Sequence, residues 1–595
     1  MRRKTKIVCT LGPAVSRRET LKELMLSGMD VARFNFSHAD HASHQKMFDM
    51  VDSLRKELNL PVATMLDTKG PEIRTGVMKD GPVTLEAGKT LVLTPEDVPG
   101  TAERISVSHK ELYRDVKEGC FILIDDGLIE LKVTAIEGEE IICEILNGGV
   151  VSDRKGINVP GVELSLPYLS QRDIDDIRFG VRTGFDFIAA SFVTTPNDIL
   201  QIRKLLESEG CQSILVIAKI ESAKGVENIE EILRVSDGVM VARGDMGVEI
   251  PAEDVPVVQK QLIKKALSLG KISITATQML DSMTTRPRPT RAEAADVANA
   301  IYDGTSAVML SGETASGKYP IEAVRMMATI AQRTERDINY RKRLNTMEHP
   351  EHNDLTYAIA LATCTIAHAL NAGAIVPVTQ SGYTARMTSS FRPAVPIVAC
   401  TPKLSTYRHL SLSWGVTPVL MSEHVGSTDL MLHEAVDSIR SHGLVRDGEV
   451  VVLTAGVPIG IPGTTNLVKV DVVGDVICSG LGIGKGKVIG RLCVVQNEEE
   501  AIERFTDGDI LVIPRTTNAI MPLLKRCSGI VAEEEGANSH AAVVGLTLDI
   551  PAVVGVKNAC ALLKNGVTVY LDASRGAVGN SVSVNKTGMR TETEE

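Results

Sequence analysis

Two stretches bring cations and carboxylates to the ends of apolar runs. Residues 214–232 read ILVIAKIESAKGVENIEEI and carry Lys219 and Glu221; residues 239–250 read VMVARGDMGVEI and carry Arg243 and Asp245. Side chains in a strand alternate faces, so Lys219 and Glu221 point the same way. A cation and two carboxylates at the tips of neighbouring buried strands cost desolvation energy unless they bind something. A metal ion and an anionic substrate answer that cost. The competing reading of Lys219 and Glu221 is a structural ion pair, and on these two residues alone the readings balance.

The elements that must position these groups are short apolar runs separated by helical stretches. They are KIVCTLG from residue 6, VARFNFS from 31, ATMLDTK from 63, FIAASFV from 187, ILVIAKI from 214, VMVARGD from 239, ISITATQ from 272 and AVMLSGE from 307. Continuous apolar strands alternating with amphipathic helices predict a parallel sheet covered on both faces, and eight such units predict a (β/α)8 TIM barrel. Nearly every strand finishes in polar groups: Asn35 and Ser37, Asp67 and Lys69, Ser191, Lys219 and Glu221, Asp245, Thr277 and Gln278, Glu313. Each alone reads as a helix cap or turn residue. Together they mark the C-terminal face where barrel active sites lie.

Between about residues 70 and 170 the helical periodicity gives way to short alternating strands with turn signals, such as FILIDDGLIELKV. This predicts an all-β lid inserted after the third barrel strand, hinged at KGPEIRTG and KGINVPG. The expected domains are a barrel over 1–70 and 171–345, a β lid over 71–170, a C-terminal α/β domain over 346–473, and a further β/α domain over 474–595. The spaced glycines of GDVICSGLGIGKGKVIG resemble a nucleotide loop weakly and fit better as turns opening a β-rich domain. The tail NKTGMRTETEE reads as frayed.

Composition narrows the function. The aromatic share is 3 %, with one Trp, which argues against base-stacking nucleic-acid binding. A net charge of −11 gives no general pull on polyanions, so any phosphate must be held by local cations. Ten cysteines without metal spacing fit free thiols in a reducing cytosol, and no apolar run is long enough to span a membrane. The N-terminal MRRKTKIVCTLGP runs straight into a strand without a signal-peptide core, so a soluble, cytoplasmic protein is expected.

The segments ARFNFSH (32–38), LDTKGPEIRTG (66–76), AKIESAKGVENI (218–229) and MTTRPRPTRAEAADVANAIYDGTSAVMLSGETA (283–315) resemble the pyruvate kinase family closely, in the family's order, over about residues 1–473. The resemblance implies phosphoryl transfer from phosphoenolpyruvate to ADP, giving pyruvate and ATP in glycolysis, by a homotetramer using Mg2+ (or Mn2+) and K+. Both substrates are polyanions, so catalysis is mostly positioning and electrostatics. Lys219 can supply a point charge to the transferring group, Glu221 and Asp245 are hard ligands for Mg2+, and Arg33 can grip phosphate bidentately. Gly244 and the amides that follow could hold the substrate carboxylate. Asn35, Ser37, Asp67 and Thr68 match the family's K+ positions. Asn35, Phe36, Ser37, His38, Arg74 and Lys155 match its nucleotide side, with His38 also readable as a capping residue. Thr277 matches a substrate contact implicated in protonating the enolate, although a hydroxyl needs relayed water to do so. Two places depart from the pattern: residues 222–224, where a more acidic loop is expected, and Ser306, where Asp would follow Asp-Gly-Thr.

In the third region, TQSGYTA (379–385) could form a phosphate nest, with GVPIGIPGTTN (456–466) nearby. Similar loops in the family bind sugar phosphates, so Thr379, Ser381, Gly382 and Thr384 are candidate contacts to a phosphorylated allosteric effector, with a plain strand-to-helix turn as the equal alternative. Residues 508–555 resemble the swivelling phosphohistidine domain of phosphoenolpyruvate synthases and dikinases. Its Thr-Ser-His reads Asn538-Ser539-His540 here, and no ATP-grasp partner is visible, so a structural or regulatory domain is favoured over a phosphocarrier. Two other classes stay open: an Mg2+-enolate aldolase or lyase barrel, which would lack LDTKGPEIRTG, and a non-catalytic phosphometabolite sensor, which would lose Lys219, Glu221 or Asp245.

Overall fold

The eight apolar runs become eight parallel strands of a closed barrel in the computed structural model, which describes residues 3–162, 164–347, 354–422, 428–457, 465–474, 476–574 and 576–580. They are β1 (Lys6–Thr10), β2 (Val31–Asn35), β3 (Ala63–Asp67), β4 (Phe187–Ala190), β5 (Leu215–Ile220), β6 (Gly238–Ala242), β7 (Ile272–Ala276) and β8 (Ala307–Leu310). The order around the barrel is β1-β8-β7-β6-β5-β4-β3-β2, closed by the register Lys6↔Ala307 to Cys9↔Leu310. One set of side chains, including Val8, Met65, Ile217, Met240 and Ile274, packs as its own cluster. The alternate set, including Ile7, Leu66, Ile188, Val216 and Val241, packs with the helices. Strands buried on both faces have no polar side, which is why they read as unbroken apolar runs.

Helix caps fix where the chain re-enters each layer. Ser170 forms a capping box with Asp173 on helix Gln171–Thr183, and Thr290 forms one with Glu293 on Arg291–Asp303.

The lid is a seven-stranded sheet with a smaller two-stranded partner and its own apolar core, which includes Ile122, Leu131, Val133 and Ile141. Its first strand, Ile73–Arg74, pairs antiparallel with Gly156–Asn158, so the chain enters and leaves the lid side by side. Gly76 leaves room at this junction for Ser106, since a Cβ there would lie 1.9 Å from the Ser106 Oγ and force that hydroxyl to turn away.

The chain divides into two compact units. One comprises Met1–Cys364, Pro377–Glu423 and Ala455–Asn466; the other comprises Thr365–Val376, His424–Thr454 and Leu467–Glu595. After helix Leu355–Ala369, strands and helices alternate to Val472, and in the first unit strand Ile397–Thr401 pairs in parallel with Val416–Leu420.

The second unit contains an eight-stranded mixed sheet: β9 (Val476–Ser479), β10 (Leu481–Ile483), β11 (Lys487–Val494), β12 (Ile510–Ile513), β13 (Gly529–Ala532), β14 (Ala552–Val554), β15 (Thr568–Asp572) and β16 (Ala577–Asn580). Their order is β9-β16-β15-β11-β12-β13-β14-β10, with β11 to β14 parallel. The spaced glycines of 474–490 form the first strands and turns of this sheet, not a phosphate loop. A Cβ at Gly482 would lie 1.9 Å from the Ala573 carbonyl oxygen. The tail 585–595, residues 348–353 and most of the 456–466 loop lie outside the described residues.

Candidate active site

The alternation of β5 carries Lys219 and Glu221 onto one face, with 3.0 Å between Lys219 Nζ and Glu221 Oε1. Lys219 also donates to Asp67 Oδ1 at 3.0 Å, from the end of β3, and to Ser191 Oγ at 2.7 Å, just past β4. Asp67 accepts on its other oxygen from Arg33 Nε of β2 at 2.6 Å, and Arg33 Nη1 donates to Thr10 Oγ1 at 2.8 Å. Strand ends β1 to β5 thus feed one buried network of two cations and two carboxylates. Burial opposes the Lys219 charge, but Asp67 and Glu221 outweigh it and hold the ammonium above its ordinary pKa. Burial likewise works against Asp67 as a carboxylate, yet Arg33 and Lys219 keep it below its ordinary value.

Glu221 has the opposite balance. Burial is the largest influence, and with Asp245 it outweighs Lys219, pushing the carboxyl up to about 7. Its Oε2 accepts the Phe192 amide at 2.6 Å. Asp245, in helix Arg243–Glu249 directly after β6, is within hydrogen-bonding reach of Glu221 and is also raised, first by burial and then by Asp126 against the pull of Lys219. Two neighbouring buried carboxyls, both raised first by burial, fit a divalent cation, which would relieve both. Among the described residues no three His, Cys, Asp or Glu groups converge on one point. Glu221 and Asp245 therefore suit an ion that completes its shell with water and substrate oxygens, as Mg2+ does.

Past β7 the backbone is strained. Thr277 has φ 67° and Gln278 φ 52°, and Phe192 past β4 has φ 54°. The Thr277 hydroxyl donates to the Ala276 carbonyl at 2.6 Å and accepts the Gly244 amide at 2.8 Å, joining the ends of β6 and β7. Arg243 secures the same junction, donating to Thr277 O at 2.7 Å and pairing with Asp296 at 2.7 Å. Glu313 is not available to a ligand: its carboxylate accepts the amides of Leu280 at 3.0 Å and Ser311 at 2.7 Å, so it acts as a cap.

Asn35 stands in register opposite Asp67, and its Oδ1 accepts the Ser37 amide at 3.1 Å. Thr68 Oγ1 accepts the Ser191 amide at 3.0 Å. Phe36 is buried in an aromatic cluster, its ring 4.1 Å from that of His44, so only its main chain can meet a ligand. His38 is exposed, and its carbonyl pairs with His44 Nε2 at 2.9 Å. Arg74 ends its strand and Lys155 immediately precedes the strand paired with it at the lid junction, where the Thr75 amide donates to the Lys155 carbonyl at 2.8 Å. Each is paired locally, Arg74 with Glu72 at 2.8 Å and Lys155 with Asp125 at 3.0 Å. Glu72 and Asp126 both bear on Asp245, so the lid adds carboxylates as well as cations to the field over the site. Sequence reasoning did not single out Thr10, Glu72, Asp126 or the Phe192 amide. Thr10 at the end of the first apolar run carried the same signal as Asn35; the lid groups carried none.

In the 379–385 loop, Thr379 Oγ1 accepts the Gly382 amide at 3.0 Å, Gly382 sits at φ 77°, and Thr384 pairs with Thr465 at 2.7 Å. Ser381 Oγ accepts the Tyr383 amide at 3.4 Å, so these hydroxyls already serve the strand-to-helix turn. In the last domain His540 opens helix His540–Leu548, and both ring nitrogens are engaged: Nδ1 with Thr516 Oγ1 at 2.8 Å, Nε2 with Asn518 Oδ1 at 3.1 Å.

A closed parallel barrel with a charged cluster at its strand ends, an inserted β lid and an α/β region beyond defines a lidded (β/α)8-barrel enzyme. Family models match as the pyruvate kinase barrel domain over residues 2–324, the pyruvate kinase alpha/beta domain over 357–471, and the mobile domain of PEP-utilising enzymes over 505–576. The chain is 50% identical over 580 residues to a pyruvate kinase of Geobacillus stearothermophilus, covering 97% of this chain and 99% of that one. It is 50% identical over 578 residues to one of Bacillus licheniformis, covering 97% and 98%. A crystal structure of a pyruvate kinase from Cryptosporidium parvum superposes with a TM-score of 0.75 at 39% identity, covering 79% of this chain and 96% of that one. The chain belongs to the pyruvate kinase family, with the swivelling domain of the PEP-utilising enzymes as its fourth region. It is an enzyme of the phosphotransferase class. Among the described residues no helix is long and apolar enough to cross a membrane.

Proposed function

We propose that the barrel site transfers the phosphoryl group of phosphoenolpyruvate to ADP in glycolysis, releasing pyruvate and ATP in the cytoplasm. The observation that carries this reading is the Lys219 ammonium, held 3.0 Å from both Asp67 and Glu221 at the strand ends. It is a fixed positive charge beside a pair of carboxylates fitted to a divalent cation. Mg2+ (or Mn2+) at Glu221 and Asp245 would supply Lewis-acid neutralisation of substrate oxygens. Lys219 and Arg33 stabilise the transferring group while its bond to the enol oxygen breaks and a bond to the ADP terminal phosphate forms. The backbone amides that follow Gly244 at the start of its helix hold the substrate carboxylate, the Gly244 amide itself being donated to Thr277, and Thr277 positions the water that delivers a proton to the enolate carbon. Asn35, Ser37, Asp67 and Thr68 supply oxygens for K+. Asn35, Phe36 (through its main chain), Ser37, His38, Arg74 and Lys155 face the nucleotide, the last two exchanging Glu72 and Asp125 for phosphate as the lid closes. The working assembly is a homotetramer, and a phosphorylated effector acts at Thr379, Ser381, Gly382 and Thr384. The fourth domain is structural or regulatory, a reading supported by the full engagement of the His540 ring.

The test is pyruvate release from phosphoenolpyruvate with ADP and Mg2+, with and without K+, for the wild type and Lys219→Met. Turnover should fall about a thousandfold in the variant. A wild type without ADP-dependent turnover, even with sugar phosphates or AMP added, would instead favour the sensor.

A further inference from the structure

Helix Gln171–Thr183 follows the lid in the chain, and its first turn reaches back to the nucleotide rim at residues 35–38. Arg172 Nη2 donates to the Phe36 carbonyl at 2.8 Å. The other end of that same peptide unit, the Ser37 amide, donates to Asn35 Oδ1 at 3.1 Å. The 36–37 peptide is therefore held at both ends by side chains. Its neighbours are tied as well: the Phe36 amide donates to Asp67 O at 3.0 Å, the His38 amide to Asn35 O at 3.2 Å, and the His38 carbonyl meets His44 Nε2 at 2.9 Å. Of these ties, the one from Arg172 alone comes from the chain beyond the lid.

An arginine 49 % exposed ordinarily spreads over several rotamers, but this one is buttressed. Asp176, one turn on and only 5 % exposed, presents Oδ2 to Arg172 Nε at 3.8 Å. Its Oδ1 is bound by His41 Nε2 at 2.5 Å, and the His41 ring stacks on Phe179 at 4.5 Å. Asp176 Oδ2 has no hydrogen-bond partner among the described residues, so Arg172 is the charge that answers it. Next to Arg172, Asp173 accepts the Gly70 amide at 3.1 Å, where the chain enters the lid at φ 72°. One helical turn thus fixes both the entry to the lid and the rim beside it. We propose that Arg172 is a positioning residue for the nucleotide: it holds the 36–37 peptide in the orientation that presents Ser37 and His38 to ADP, with Asp176 and His41 as its buttress. The proposal rests on the nucleotide reading of residues 35–38. A peptide is planar, so a Phe36 carbonyl released to water turns the Ser37 amide with it and displaces the side chains on either side.

The test titrates ADP, with Mg2+ and K+ present, into the full chain and into Arg172→Ala by calorimetry, and sets the KM for ADP beside that for phosphoenolpyruvate. The dissociation constant and the KM for ADP should both rise about tenfold in the variant, while the KM for phosphoenolpyruvate changes by less than about twofold. Arg172→Lys, which keeps a charged donor, should recover most of the loss. Unchanged ADP affinity in Arg172→Ala overturns the proposal, and so does equal weakening toward both substrates, the mark of a general loss of structure. Calorimetry needs no turnover. A wild type that binds ADP more tightly than the variant yet releases no pyruvate leaves the clamp standing and removes only the phosphoryl-transfer reading. A wild type that neither binds ADP nor turns over removes both. Should Arg172→Ala fail to fold, Arg172→Met keeps the aliphatic stem and is read in the same way.

Discussion

Glu221 and Thr277 show what the barrel invests in its rim. Because the Glu221 carboxyl is raised from 4.5 to about 7, the folded metal-free protein holds more protons there than the unfolded chain. Its stability therefore falls as pH rises across that interval, and a cation that takes the proton's place stabilises more at the upper end. The rise in Tm produced by Mg2+ should be small near the lower value, grow through the interval and level off above about 7, and Glu221→Gln should flatten the dependence. Thr277 carries its hydroxyl on a branched Cβ in a left-handed backbone that disfavours it. Thr277→Ala should lower turnover about a hundredfold, whereas Thr277→Ser should retain most of it and melt no lower than the wild type. The pairing of Lys219 with Glu221 is legible because two-residue alternation fixes their common face. Glu72 and Asp126 were not legible, since their bearing on Asp245 arises from how a remote insertion folds.

Elements were read as far as their burial is uniform. Barrel strands covered on both faces leave an unmistakable apolar run, and strong breakers bound the lid. Side chains within the lid could not be ranked, because strands of two to nine residues, most of them antiparallel, obey the same alternation wherever they pair. The junction strands illustrate this: the importance of Gly76 lies in Ser106, thirty residues on and in another strand. Gly76→Ala should destabilise the lid by about 1–3 kcal/mol, read as faster amide exchange in strands 73–74 and 104–106 with the barrel strands unchanged. Ser106→Ala in the same chain should restore protection, since it removes the Oγ and leaves the Cβ at 3.3 Å.

At the scale of the molecule, four regions are visible in sequence, but the two packing units are not. Residues 365–376 and 424–454 group with 467–595, while 377–423 and 455–466 group with the barrel. Such interleaving depends on long-range packing that leaves no local pattern. Unfolding should therefore show two calorimetric transitions. Phosphoenolpyruvate with Mg2+ should raise the one belonging to the barrel and leave the other in place. A single transition shifted as a whole would argue against the division.

The side-by-side entry and exit of the lid also sets a timetable for synthesis. β3 ends at Asp67, and its barrel neighbour β4 begins at Phe187. A ribosome adding about 5–20 residues per second spends roughly 6–24 s on that interval. For that time the open edge of β3 stands exposed, while the lid, whose pairings all lie within its own span, can already be complete. The inserted β domain is thus the first module of this chain able to finish folding, and the barrel must wait for it.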